Sequence, residues 1–155
     1  MTGRRFVGAR DLRQDLPRWM LVVCPRCAGT ARVVPLGRVR RVVCGECGLT
    51  RESARPRRAV VGAGPCDPYF GLPLRLRVRT RHGWLWAYDP EHLDLIGDFV
   101  AAAPADRAAL YGSVDRHALL TGLPPWIKRA AHRADVLAAV GRIRGLSDPT
   151  ASVAS

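Results

Sequence analysis

From residue 19 to residue 50 the apolar and β-branched positions come in short runs, residues 20–23, 30–35 and 38–43, with a Leu36-Gly37 turn between the last two. Runs of that length predict strands, here a hairpin framed by two pairs of cysteines. Over residues 74–80 apolar residues and arginines alternate strictly, and Trp84-Leu85-Trp86-Ala87-Tyr88 follows after His82-Gly83, which predicts a second hairpin. The period then changes. Leu93, Ile96, Phe99, Val100 and Ala103 recur at helical spacing opposite Glu91, Asp94 and Asp98, with Asp89 suited to the N-cap and Pro90 to the first helical position. Residues 105–120 predict one or two short helices broken around Gly112, and Pro124-Pro125-Trp126-Ile127 opens another short segment. A last helix is expected over residues 133–144, with Val136, Leu137, Val140 and Ile143 on one face and Gly145 as its stop. The expected fold class is α+β: an N-terminal ribbon of β-hairpins followed by a small unit with one hairpin and three to four helices.

Prolines, glycines and arginines punctuate this pattern and set the expected boundaries. Residues 1–18 read as a basic N-terminal arm in which Leu12, Leu16 and Trp19 predict a short docking helix interrupted by Pro17, with little order before Asp11. The ribbon takes residues 19–53, a basic linker residues 54–66, the hairpin and helical domain residues 67–146, and a disordered tail residues 147–155. Gly62-Ala63-Gly64 has the outline of a phosphate-binding turn, but Pro65 blocks an immediate helix and Asp67 stands where a third glycine is wanted. It reads as linker.

A chain of 155 residues that is 48% hydrophobic can bury the core of one ordinary domain or two small ones. No window reaches the roughly 18 consecutive apolar residues of a membrane span, and residues 1–14 have no apolar core of a signal peptide, so the expected compartment is the cytoplasm. In that reducing setting paired cysteines are more often metal ligands than disulfides. Cys24-Pro25-Arg26-Cys27 and Cys44-Gly45-Glu46-Cys47 are separated by residues 28–43, a spacing expected for a tetrahedral four-thiolate zinc site. A two-residue gap lets both sulfurs of a knuckle reach one ion about 2.3 Å away, and Gly45 is the expected tight-turn residue. Cys24, Cys27, Cys44 and Cys47 are therefore the expected ligands of one structural Zn2+. Four cysteine ligands leave no open position at which the metal polarises water or substrate, so the expected role is folding.

These same residues, with Val42-Val43 before the second pair and Gly48 after it, resemble the zinc ribbons of the general transcription factor B type, over residues 20–50. Ribbons of that type serve in transcription, replication and translation proteins, and many only staple a domain or grip another protein; the resemblance implies a metal and a fold. Asp67-Pro68-Tyr69-Phe70-Gly71-Leu72-Pro73, Leu85-Trp86-Ala87-Tyr88 and Leu123-Pro124-Pro125-Trp126-Ile127 are similar to segments of uncharacterised bacterial zinc-ribbon proteins, which implies no activity.

Charge changes the picture more than composition does. Residues 1–82 hold 18 arginines and 5 acids, a net +13, whereas residues 83–155 hold 7 basic and 8 acidic residues, a net −1, giving the total of +12. Such a concentrated field favours polyanions. The expected nucleic-acid contacts are Arg32, Arg38, Arg40 and Arg41 on the ribbon, Arg55, Arg57 and Arg58 in the linker, and Arg75, Arg77, Arg79 and Arg81 on the second hairpin. With His82-Gly83 as the whole loop, Arg81, Arg79 and Arg77 oppose Trp84, Trp86 and Tyr88 and make an arginine and aromatic platform for bases. A loop one residue longer instead sets Leu76, Val78 and Thr80 against Tyr88, Trp86 and Trp84 as core. Cys66, Asp67, His82 and His92 follow no metal spacing, and Glu91 and Asp94 lack a nucleophile or base at a matching offset, so no catalytic residue is expected. The favoured reading is a non-enzymatic protein that binds DNA or RNA. The alternative is an interaction module docking on an acidic surface of a transcription or replication machine, and an enzyme with a site in the C-terminal unit ranks third.

Overall fold

The computed structural model describes residues 19–55, 64–112 and 114–147. The N-terminal arm, Arg57 and Arg58 of the linker, and the tail beyond residue 147 lie outside the described residues. The fold is α+β. Strands β1 (Met20–Val23), β2 (Thr30–Leu36), β3 (Val39–Cys44) and β4 (Thr50–Ser53) form one antiparallel sheet in the order 1-2-3-4. Strand β4 pairs with β3 from Arg40↔Ser53 to Val43↔Thr50, a strand its polar Thr-Arg-Glu-Ser composition does not announce. Alternation decides the faces of this sheet. Met20, Val22, Ala31, Val33, Val42 and Cys44 are buried on one face, where they meet Leu49, Tyr69 and Leu74. Leu21, Arg32 and Val43 share the other face through the pairs Leu21↔Arg32 and Arg32↔Val43.

Strands β5 (Leu76–Thr80) and β6 (Gly83–Ala87) form the second hairpin. Its pairs are Leu76↔Ala87, Arg77↔Trp86, Val78↔Leu85, Arg79↔Trp84 and Thr80↔Gly83, so the loop is Arg81-His82 and both expected registers are corrected by a shift. The reason is burial: this register pairs Leu76 with Ala87 and Val78 with Leu85 on the face that packs on the helices. Gly83, at φ +140°, closes the turn where a Cβ would lie 3.2 Å from the Trp126 indole nitrogen.

Helix α1 (Pro90–Ala101) begins as its sequence requires, with Asp89 Oδ1 accepting the His92 N–H at 2.7 Å. It ends before Ala103, which therefore leaves the expected helical face. Short α2 (Arg107–Leu110) and α3 (Val114–Thr121) flank Gly112, and α4 (Pro125–Lys128) precedes the last helix, α5 (Arg133–Ser147). Gly145 is inside α5 and does not stop it. Leu93, Ile96, Phe99 and Val100 of α1 pack with Val136, Val140 and Ile143 of α5 and with Leu76 and Leu85 of the hairpin.

The ribbon sheet and the helical unit are joined through backbone. Val23 N–H donates to Pro73 O (2.9 Å), Arg75 N–H to Leu21 O (3.0 Å) and Leu21 N–H to Tyr88 O (2.7 Å). The segment after the linker is shaped for this by Asp67, which is 2% exposed. Its Oδ1 accepts the N–H groups of Tyr69 (2.9 Å) and Phe70 (2.7 Å), and its Oδ2 accepts that of Leu72 (2.7 Å). Three backbone donors are thereby satisfied by one carboxylate. Asp67→Asn, which puts an amide N–H₂ on one of these donors, is expected to lower stability by about 2 kcal/mol in urea unfolding. A change within about 0.5 kcal/mol, the range of ordinary surface substitutions, would contradict that role.

Candidate metal centre and arginine face

Two equivalent turns build the cysteine cluster. Cys24 N–H donates to Gly29 O (2.8 Å) and Ala28 N–H to Cys24 O (3.0 Å); Cys44 N–H donates to Leu49 O (2.9 Å) and Gly48 N–H to Cys44 O (3.0 Å). The Ala31↔Cys44 pair of β2 and β3 then sets one turn beside the other. The four sulfurs lie within 4.8 Å of one another, with Cys24 Sγ 3.6 Å from Cys47 Sγ and Cys27 Sγ 3.6 Å from Cys44 Sγ. Among the described residues this is the one cluster of three or more Cys, His, Asp or Glu side chains that can hold a metal ion.

The donor chemistry fits a soft cation. Burial pushes the Cys24 thiol up, but the N–H groups of Cys27 and Arg26 and the neighbouring thiols outweigh it and bring the group down to about 6. At Cys27 the Gly29 N–H pulls down, while burial and the sulfurs of Cys44, Cys24 and Cys47 together push the thiol up to about 12. Four sulfurs this close cannot all carry charge without a cation among them, and a divalent ion relieves that conflict. Arg26 N–H and Gly29 N–H each point at a cysteine sulfur, at 3.4 Å from Cys24 and Cys27 respectively. These amides orient the ligands.

The turn residue expected from sequence is corrected by the backbone. Gly48, not Gly45, takes the left-handed conformation (φ +76°), and its counterpart in the first turn is Ala28 (φ +61°). An alanine there carries a Cβ that clashes with its own backbone. Ala28→Gly is expected to raise stability by about 1 kcal/mol, read as a higher urea midpoint. An unchanged or lower midpoint would contradict it.

The arginines expected to form one surface divide into three groups. Arg40 is 8% exposed, with its guanidinium 5.3 Å from the Tyr69 ring, so it is corrected from a surface contact to a packing residue. Arg41 is paired with Glu52 at 2.5 Å, and Arg81 with Asp135 at 2.7 Å. Arg32, over the Trp19 ring at 5.0 Å, and Arg38 and Arg55 are exposed on the ribbon side. Arg77 and Arg79 share one face of β5 and exposed Arg75 stands in the bend before it, and among the described residues no carboxylate lies within ion-pair distance of them. Arg77 and Arg79 sit over the Trp84 ring at 5.2 and 5.6 Å, and a Cβ on Gly64 would be 3.6 Å from that indole. Trp84 is thus already covered, while Trp86 packs edge-on to Tyr88 at 4.9 Å. The aromatic half of the expected platform is engaged within the protein; the arginine half faces outward.

One cluster was not visible from sequence spacing. His82 Nε2 lies 2.8 Å from Asp135 Oδ2, and its ring stacks on His132 at 3.8 Å between centroids; His132 Nδ1 in turn meets Trp126 O at 2.7 Å. Hydrogen bonds from His82 and Arg81 hold the Asp135 carboxyl below the usual carboxylate range. This cluster ties the β5–β6 turn to α4 and α5 across more than 50 residues of chain, a separation no local pattern reports. Cys66, Asp67, His82 and His92 are not gathered into a second metal site. No helix among the described residues is long and apolar enough to cross a membrane. No protein-family profile matches the chain, and neither a curated protein nor a solved structure does.

Proposed function

We propose that this chain is a non-enzymatic protein in which a structural zinc ion closes the ribbon and an arginine face binds nucleic acid through its phosphates. Zinc is favoured among soft cations because four thiolates in a small tetrahedral cluster are its common structural site. The observation that carries the binding reading is Arg77 and Arg79 on one face of the hairpin with Arg75 in the bend just before it, three cations with no carboxylate within ion-pair distance among the described residues. Unpaired guanidinium groups in a row suit phosphates, since each phosphate neutralised releases condensed counterions. Contacts of that kind position a strand without reading its sequence.

The test is binding of the zinc-loaded protein to labelled single-stranded DNA and RNA over a salt series, beside an Arg75→Gln, Arg77→Gln, Arg79→Gln triple variant. Loss of three phosphate contacts is expected to flatten the slope of log affinity against log salt by about 2. Arg81→Gln is expected to leave binding unchanged, because Arg81 is held by Asp135. Equal slopes for the native protein and the triple variant would sink the reading. The competing reading, a ribbon that docks on another protein, is favoured by Leu36 and Val43, apolar side chains exposed on the ribbon sheet. Capture of a protein partner that survives nuclease treatment and is lost in Leu36→Ser, Val43→Ser would support it.

A further inference from the structure

Beside the arginine row the outer face of the ribbon sheet meets the segment that leads into β5, and a cleft of about 420 Å³ opens there. That volume lies within the range of small-ligand sites, about 300–1,000 Å³. Leu21, Val23 and Thr30 on the outer sheet face line it beside the backbone of residues 74–76, where Leu74 and Leu76 are themselves buried, and Leu146 of α5, 75% exposed, stands at its edge. Arg75 and Arg77 line the same cleft, and Arg32 is on the same sheet face as the register partner of Leu21. A slot with both apolar and polar walls and guanidinium groups beside it suits a flat ligand with polar edges and an anionic flank. Trp84, the side chain otherwise placed to stack a base, is covered by Arg77 and Arg79.

We propose that this cleft is the base-receiving subsite of the arginine face: it seats one unstacked base of a single strand while Arg75 and Arg77 hold the adjoining phosphates. The proposal rests on the nucleic-acid reading and adds its substrate class, single strands with accessible bases. Arg77 connects the two parts, since it lines the cleft and also lies over Trp84 within the row. Alternate residues of an extended strand are about 6.6 Å apart, so Arg77 and Arg79 of β5 can follow successive phosphates outward from the cleft, with Arg75 at the bend before them. A duplex, with its bases stacked and paired, has no free base to offer.

The test uses the full chain loaded with zinc and three labelled probes of equal length: oligothymidylate, an oligonucleotide of the same charge that lacks all bases, and a duplex. Oligothymidylate is expected to bind at least fivefold more tightly than the abasic strand, the lower end of what one seated base contributes. Thr30→Trp, which fills the cleft from its wall, is expected to bring oligothymidylate down to the abasic level and leave the abasic strand unaffected. Leu146→Ala, at an exposed position, is a second variant that does not touch the β1–β2 pairing and is expected to act in the same direction. Equal binding of the thymidylate and abasic strands, or native thymidylate binding in both variants, overturns the cleft while leaving the phosphate reading intact. Failure of all three probes to bind near physiological salt overturns both. An acidic, leucine-containing peptide that binds more tightly than oligothymidylate and is lost in Thr30→Trp would overturn the proposal in favour of a protein ligand.

Discussion

Cys44→Ser is expected to abolish stable metal binding and unfold the ribbon sheet. Cys44 is 1% exposed, closes the end of β3, and has its sulfur 3.6 Å from that of Cys27. The ribbon's own contribution to the core around it is Met20, Val22, Ala31, Val33, Val42 and Leu49, which pack on Tyr69 and Leu74 of the following segment. On the proposed reading the metal closes the two cysteine turns, and structural zinc supplies on the order of 10–16 kcal/mol in modules of this kind at neutral pH. Loss of one ligand removes much of that, so zinc per chain is expected to fall from one to near zero. The amide signals of β1 to β4 are then expected to collapse toward random-coil positions, and a strong chelator added to the native protein should act the same way. A Cys44→Ser protein that keeps one zinc and a dispersed ribbon spectrum would show that the cluster is not the folding element. The helical unit is a separate readout, because its core around Leu85, Ile96, Val136 and Ile143 contains no cysteine.

The second large effect is an acid destabilisation carried by His92. Its side chain is buried between Tyr88, whose ring stacks on it at 5.4 Å, and Trp86, edge-on at 6.0 Å. Nδ1 accepts the Tyr88 N–H at 3.1 Å, so the neutral ring carries its proton on Nε2, which has no hydrogen-bond partner among the described residues. Burial brings this imidazole down to about 4 from the ordinary 6.5. Above pH 6.5 the ring is neutral in both folded and unfolded chains and contributes no pH dependence. As pH falls from 6.5 the unfolded chain takes up a proton that the folded chain refuses, and stability is lost until the folded ring protonates near pH 4. The whole window amounts to about 3 kcal/mol. Asp89, which caps the same helix turn, has its carboxyl raised by burial, and Asp135 is lowered by its hydrogen bonds, so other groups titrate nearby. The difference between the native protein and His92→Phe isolates the histidine. That difference, from urea unfolding at pH 7 and pH 4.5, is expected to move in favour of His92→Phe at the lower pH, and a difference independent of pH would refute the assignment.

Both effects begin in features that differ in how far a sequence reveals them. The two Cys-x-x-Cys turns and the helix cap at Asp89-Pro90 depend on residues within a few positions of one another, so spacing and residue type sufficed to place them. The alternation in residues 74–80 likewise fixed that Arg77 and Arg79 share one face of a strand and Leu76 and Val78 the other. The turn glycine escaped the same reasoning because a left-handed backbone at Gly48 and Ala28 is set by how the knuckle closes, not by which glycine comes first after the cysteine.

What the sequence determined by itself is local: four cysteines at ligand spacing, an α+β order of elements, and a basic first half. What only the tertiary structure decided is which of those charges remain available. Arg40 packed on Tyr69, Arg41 and Arg81 found carboxylates, and among the described residues Arg75, Arg77 and Arg79 did not. The hairpin register was settled by Leu76, Val78, Leu85 and Ala87 seeking the helical core, and the cleft by the docking of β1 on residues 73–75. Each of these is a contact between residues far apart in the chain, where burial and charge pairing outweigh local preference.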